Sequence, residues 1–201
     1  TALSNYRTTV IVNGGTFKSK KSYAIYNIGG TLTINDGTFV SENSTAFYNN
    51  YDSGIWSTFH TNVTINGGLI KSNGQNSYSY AISNNSKIKI NGGTMESLNA
   101  YAIYNESNEL TIGNNDGNVS TSSPIIKGET YGLYIKSGTI NFYDGILKGI
   151  DGGYYGNISS IEDGTIIKNS TENIENQEYK LNYLENQVDF LEVSGKTYNS
   201  F

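Results

Sequence analysis

The 201-residue chain contains no cysteine, one proline (Pro124), one arginine (Arg7), one histidine (His60) and one tryptophan (Trp56). Without cysteine there is no disulfide framework, and the compartment cannot be read from redox chemistry. With 13 basic residues scattered singly and a formal net charge of −5, no basic face exists to hold a nucleic-acid backbone. No apolar run approaches the roughly 18 residues of a membrane-spanning helix, so no membrane insertion is expected. Thr1 opens the chain without a signal peptide, and the sequence reads as a piece of a longer polypeptide. Hydrophobic residues make up 36%, thin for one compact core but sufficient where each coil buries only its inward residues against the next.

What the chain has in quantity is glycine, asparagine, serine, threonine and 17 tyrosines, arranged in a repeat. Thr31-Leu32-Thr33-Ile34-Asn35-Asp36-Gly37-Thr38-Phe39-Val40-Ser41 returns as Val10 to Ser19, Val63 to Ser72 and Ile88 to Ser97. Leu32 and Ile34 alternate with Thr31 and Thr33, the period of a half-buried strand. Asn35-Asp36-Gly37 turns the chain, and Thr38-Phe39-Val40 forms a second strand with Phe39 inward. A third strand follows a polar corner: Tyr23-Ala24-Ile25-Tyr26-Asn27, Thr45-Ala46-Phe47-Tyr48-Asn49, Tyr80-Ala81-Ile82-Ser83-Asn84, Tyr101-Ala102-Ile103-Tyr104-Asn105 and Tyr131-Gly132-Leu133-Tyr134-Ile135.

Equivalent strands recur only after a whole turn, so hairpins are disfavoured and stacked parallel strands are expected. Taking Asn13, Asn35, Asn66, Asn91, Gly113, Tyr143 and Glu162 as equivalent corners gives spacings of 22, 31, 25, 22, 30 and 19 residues, with insertions at corners. The fold class expected is all-β, a single-stranded parallel β-helix (β-solenoid) of about seven rungs with three short strands per rung over residues 1–168. Residues 169–201, where the repeat fails and carboxylates gather, are expected to form a non-repeating cap. The ending Val193 to Phe201 reads as the lead-in to a further module.

The alternation of Ala-Ile-Tyr-Asn with Leu-Thr-Ile-Asn-Gly-Gly-Thr-Phe over about residues 8–168 resembles the right-handed β-helix repeats of Gram-positive bacterial surface and secreted proteins, in the broad pectate-lyase-like superfamily. That resemblance implies the right-handed sense, an extracellular or cell-surface location, and other modules of the same chain as neighbours. It does not carry a function, because the superfamily holds lyases, hydrolases, adhesins and passive stalks.

The third strand is where function is sought. Ile25, Phe47, Ile82, Ile103 and Leu133 form an inward apolar ladder, leaving Tyr26, Tyr48, Tyr104 and Tyr134 outward with Ser83 among them. Ala24, Ala46, Ala81, Ala102 and Gly132 are expected outward too, as a shelf beside a row of phenols suited to a glycan or a host surface protein. The competing reading is that such a ladder only stabilises the stack. Tyr23, Tyr80, Tyr101 and Tyr131 are assigned to the corner or interior, and Asn27, Asn49, Asn84 and Asn105 to an inward amide ladder. The insertion from Asn50 to Thr61 adds Trp56 and Phe59 as binding candidates, against the alternative that they cover an apolar gap.

No catalytic residue is assigned and no cofactor is implied. The superfamily's lyases use a calcium-holding carboxylate cluster and its hydrolases need paired carboxylates, whereas Asp36, Asp144 and Asp163 fall one per rung at corners. Asp116, in Gly113-Asn114-Asn115-Asp116-Gly117-Asn118, is a weak calcium candidate without the spacing of a known calcium loop. The expected function is a non-enzymatic stalk or adhesin module. A carbohydrate-active enzyme or its remnant is the alternative, and a purely structural spacer the third.

Overall fold

In the computed structural model, residues 1–54, 58–106, 108–120 and 122–161 are described, together with the backbone of four later strands. The chain is a right-handed parallel β-helix of seven rungs, and three seven-stranded sheets run along its length. The first face stacks Leu3–Tyr6, Ile25–Ile28, Phe47–Asn50, Ile82–Asn85, Ile103–Asn105, Tyr131–Ile135 and Gly152–Tyr155. The second runs from Thr9–Val12 to Ser160–Ile161, and the third from Thr16–Ser19 to Ile166–Asn169. Every neighbouring pair in these faces is parallel and in register, so Ile25 lies on Phe47, Phe47 on Ile82, Ile82 on Ile103 and Ile103 on Leu133.

The alternation of the repeats builds the core directly. Leu32, Ile34, Phe39 and Phe47 are fully buried, as are Ile65, Ile70, Ile90, Met95, Ile112 and Phe142. Between the second and third faces the chain must turn sharply against the rung below. Gly68 (φ +88°) and Gly93 (φ +88°) occupy that place, and a Cβ on either would stand 2.6 Å from the carbonyl oxygen of the preceding rung. Only glycine accepts both the left-handed backbone and the contact.

Polar columns lock the rungs as firmly as the apolar ones. On the first face the Nδ2 groups of Asn5, Asn27, Asn49 and Asn84 donate to the Oδ1 atoms of Asn27, Asn49, Asn84 and Asn105, at 2.7 to 2.9 Å. All five asparagines are buried. Their second N–H ties the following corner, as Asn27 does to the Gly30 carbonyl and Asn84 to that of Ser86. The column stops where Ile135 replaces asparagine above Asn105. An outer column runs with the opposite polarity, Asn35 to Asn13, Asn66 to Asn35 and Asn91 to Asn66. A buried serine column, Ser41, Ser72 and Ser97, donates to the carbonyls of Ser22, Ser44 and Ser79 and closes the third corner.

Among the described residues, two departures from parallel stacking occur. The insertion after Asn50 forms a short antiparallel hairpin, Asp52–Ser53 with Thr58–Phe59, over the corner at Gly29. After Ile166–Asn169 the strands Lys180–Asn182, Phe190–Val193 and Lys196–Asn199 pair antiparallel with one another. Within the segment read as a lead-in to a further module, Lys196–Asn199 is thus a hairpin partner of Phe190–Val193.

Removing one amide from the inner column strands a buried donor on one side and a buried acceptor on the other. We expect Asn84→Ala to lower stability by about 2 to 4 kcal/mol, and Asn66→Ala in the exposed outer column by less than about 1 kcal/mol, read from urea-unfolding midpoints.

Candidate functional site

The outward row expected on the first face is present: Tyr26 lies over Tyr48 and Tyr104 over Tyr134, each half-buried, with ring centroids 5.6 and 5.7 Å apart. The rung spacing imposes this, since parallel strands about 4.8 Å apart hold like side chains at stacking distance. A second row is interleaved with it. Tyr23 stacks on Tyr48 of the next rung at 5.1 Å, Tyr80 on Tyr104 at 5.0 Å and Tyr101 on Tyr134 at 4.5 Å. The corner tyrosines therefore pack against the outward row, Tyr80 buried and Tyr23 and Tyr101 partly so, and the single ladder is a double one.

The shelf does not exist. Ala24, Ala46, Ala81 and Ala102 are fully buried and Gly132 is buried. Strict alternation puts them outward, but the chain bends just before each strand and turns that residue into the core. Space there is small: a Cβ on Gly132 would come within 2.7 to 2.9 Å of backbone atoms of Ile126, Lys148 and Gly153.

Where Ser83 replaces the outward tyrosine, its stacking partner in the rung below is Thr45 instead of tyrosine. The paired replacement divides the wall in two: Tyr23, Tyr26 and Tyr48 on one side, and Tyr80, Tyr101, Tyr104, Tyr131, Tyr134 and Tyr155 on the other. Ring faces inside each block are spent on one another, so the surface presents ring edges and phenol hydroxyls. Two rings depart from this order: Tyr131 is tilted by 48° and 52° to Tyr101 and Tyr155, and Tyr78 stands almost perpendicular to its neighbour. Tyr78, 75% exposed on the loop before the fourth first-face strand, stands at 81° to Tyr80 with centroids 6.5 Å apart. Tyr78, Tyr80, Tyr104, Tyr134 and Lys136 line an open cleft of about 360 Å³. Lys136 is ion-paired with Glu106 at its rim, and that hydrogen bond raises its pKa.

The other candidates fall elsewhere. Phe59 lies in the hairpin over the first two rungs, its ring 4.2 Å beneath the Arg7 guanidinium. Arg7 also meets Asp52 at 2.5 Å, and hydrogen bonds from Tyr6 and Arg7 hold the Asp52 carboxyl below its ordinary range. Phe59 thus anchors the insertion, apart from the tyrosine wall. Trp56 lies outside the described residues. His60 borders a separate open depression of about 470 Å³ with Lys87, Glu109 and Thr139.

Asp116 accepts the Asn118 N–H of its own loop at 3.0 Å. Among the described residues no three His, Cys, Asp or Glu side chains converge. The carboxylate that organises this loop is Asp144, nearly fully buried, which accepts the N–H groups of Asn114 and Ser120 at 2.7 and 2.6 Å. Sequence reading placed Asp144 at a corner and gave it no partner. Its signal was position, one rung above a corner whose glycines had given way to a longer loop.

Burial pushes the Tyr80 phenol up to about 12, and the neighbouring Tyr104 and Tyr101 add to the effect. The folded state then holds this proton more tightly than the unfolded chain, whose tyrosines ionise near 10. Its contribution to stability is complete below about pH 10 and is lost as pH rises through about 12. In alkaline unfolding followed by phenolate absorbance, Tyr80→Phe is expected to shallow the fall in stability between about pH 10 and 12 and to remove one late-ionising phenol.

Comparison with family models, with curated proteins and with solved structures returned no match to this chain.

Proposed function

We propose that the chain is a rigid, non-enzymatic module of a secreted or cell-surface bacterial protein, of stalk or adhesin type, akin to the pectate-lyase-like β-helices. The cleft beside Tyr78 is its contact site and a neutral glycan its ligand. The observation that carries the reading is the crossed arrangement of rings. Tyr78 offers an exposed aromatic face at right angles to a row of phenol edges, so a pyranose ring could stack on the one while its hydroxyls meet the other. A rigid floor favours binding, because stacked tyrosines have little rotamer freedom left to lose.

The ionised side chains support a structural role over a catalytic one. Glu96 bridges Lys71 and Lys127 of the adjacent rungs at 2.7 and 3.4 Å, Glu109 meets Lys87 at 3.0 Å, and Asp144 is held by loop amides. These carboxylates bind rung to rung or cap backbone, roles that hold the stack together.

A glycan array followed by titration with the best ligand tests this. Saturable binding weakened about tenfold or more by Tyr78→Ala, and likewise by Tyr104→Ala, is expected, with Tyr26→Ala in the separate block close to wild type. Binding unchanged in the Tyr78 and Tyr104 variants would remove the cleft from consideration. Product release from polygalacturonate or another acidic glycan would replace the module reading with an enzymatic one.

A further inference from the structure

The chain has no cysteine, so no disulfide can tie one rung to the next. The tyrosine wall sets another oxidisable group in that relation. Among the described residues the closest pair of rings is Tyr101 and Tyr134, with centroids 4.5 Å apart and planes 13° from parallel. Tyrosines stacked in register stand further apart, Tyr104 and Tyr134 at 5.7 Å and Tyr26 and Tyr48 at 5.6 Å. Tyr104 is the register partner of Tyr134, so Tyr101 reaches that ring diagonally from its corner. A diagonal pair is attached to the backbone at points more than one strand spacing apart, which gives its rings room to turn toward one another.

Both rings are also within reach of a solvent-borne oxidant. Tyr101 and Tyr134 are partly exposed, and Tyr155, 51% exposed, stacks on Tyr134 at 4.8 Å and 12°. The most exposed phenols lack that arrangement. Tyr78, 75% exposed, stands crosswise to its neighbour, and Tyr6, 57% exposed, faces the Arg7 guanidinium.

The geometry points to Tyr101 and Tyr134 as a site of oxidative modification, a dityrosine cross-link between adjacent rungs formed by hydrogen peroxide acting through a haem peroxidase. Each phenol gives one electron to the oxidant and its hydroxyl proton to solvent. The two phenoxyl radicals join at ring carbons ortho to oxygen, forming one C–C bond. The hydrogens on those two carbons then leave as protons while the phenoxyl oxygens each regain one, so both phenols are restored. The net loss of two electrons and two protons reduces one hydrogen peroxide to two waters. Stacking supplies the proximity that makes coupling inside one chain faster than coupling between chains. The bond closes a loop between residues distant in sequence and so restrains the unfolded chain, as a disulfide would. This inference is independent of any ligand beside Tyr78.

The test treats the full chain with hydrogen peroxide and a haem peroxidase, follows dityrosine fluorescence, and maps the cross-linked peptides by mass spectrometry. Tyr101 joined to Tyr134 within one chain is expected as the main product, in a yield that does not change on about tenfold dilution. Tyr101→Phe, which keeps the stacked ring, is expected to lower total dityrosine about threefold or more, and Tyr26→Phe in the separate block to leave it as in the wild type. The urea-unfolding midpoint is expected to rise on treatment of the wild type and to stay in place on treatment of Tyr101→Phe. Any of three results would overturn the proposal: no dityrosine formed, cross-links led by Tyr6 or Tyr78 between chains with a yield that falls on dilution, or dityrosine undiminished in Tyr101→Phe.

Discussion

Register between successive rungs is the constraint from which the rest of this structure follows, and buried asparagine amides are its strictest keepers. Apolar columns alone tolerate some slippage, since isoleucine, leucine and phenylalanine substitute for one another along the first face. An amide in a dry interior tolerates much less. Each inner asparagine must find the next one's oxygen and a corner carbonyl at once, and a shift of one residue would strand both groups. The serine column acts in the same way at another corner, so two of the three turns of a coil are tied by side chains that cannot be satisfied in any other alignment.

The tyrosine wall is a product of that register before it is anything else. Rungs held about 4.8 Å apart bring like rings to stacking distance, and the wall is interrupted only where Thr45 and Ser83 replace both partners of one stacked pair. Stacking consumes the ring faces that an isolated tyrosine would offer a ligand. What remains for recognition is edges, hydroxyls, the tilted ring of Tyr131 and the ring of Tyr78 set crosswise by the loop before the fourth first-face strand. A surface rich in aromatic residues is therefore narrower in its binding chemistry than its composition suggests.

Much of this was legible in the residues. The repeat of Leu32-Thr33-Ile34-Asn35 and its copies announced stacked parallel strands, because alternation of period two recurring only after some 22 residues leaves no hairpin partner nearby. The inward positions of Ile25, Phe47, Ile82, Ile103 and Leu133 followed from the same alternation, as did the asparagines that share their parity. Alternation misled at Ala24 and its equivalents, where the bend before the strand turns the side chain inward. It left Tyr23, Tyr80 and Tyr101 open between corner and interior, and could not show that their rings interleave with the outward row of the next rung. Asp144 was hidden for another reason: its partners belong to a loop some 24 to 30 residues earlier in the chain.

By itself the sequence determined the class of fold, the length of a coil and which columns are apolar or amide, because those depend on periodicity and on the chemistry of residues that must meet their own copies. Only the tertiary structure decided which ring faces stay free, how Asp52 and Phe59 meet Arg7, and which amide oxygens of the two columns are left without a donor. Those outcomes turn on the direction of a side chain at a bend and on contacts between residues that do not repeat, and periodicity contains no information about either.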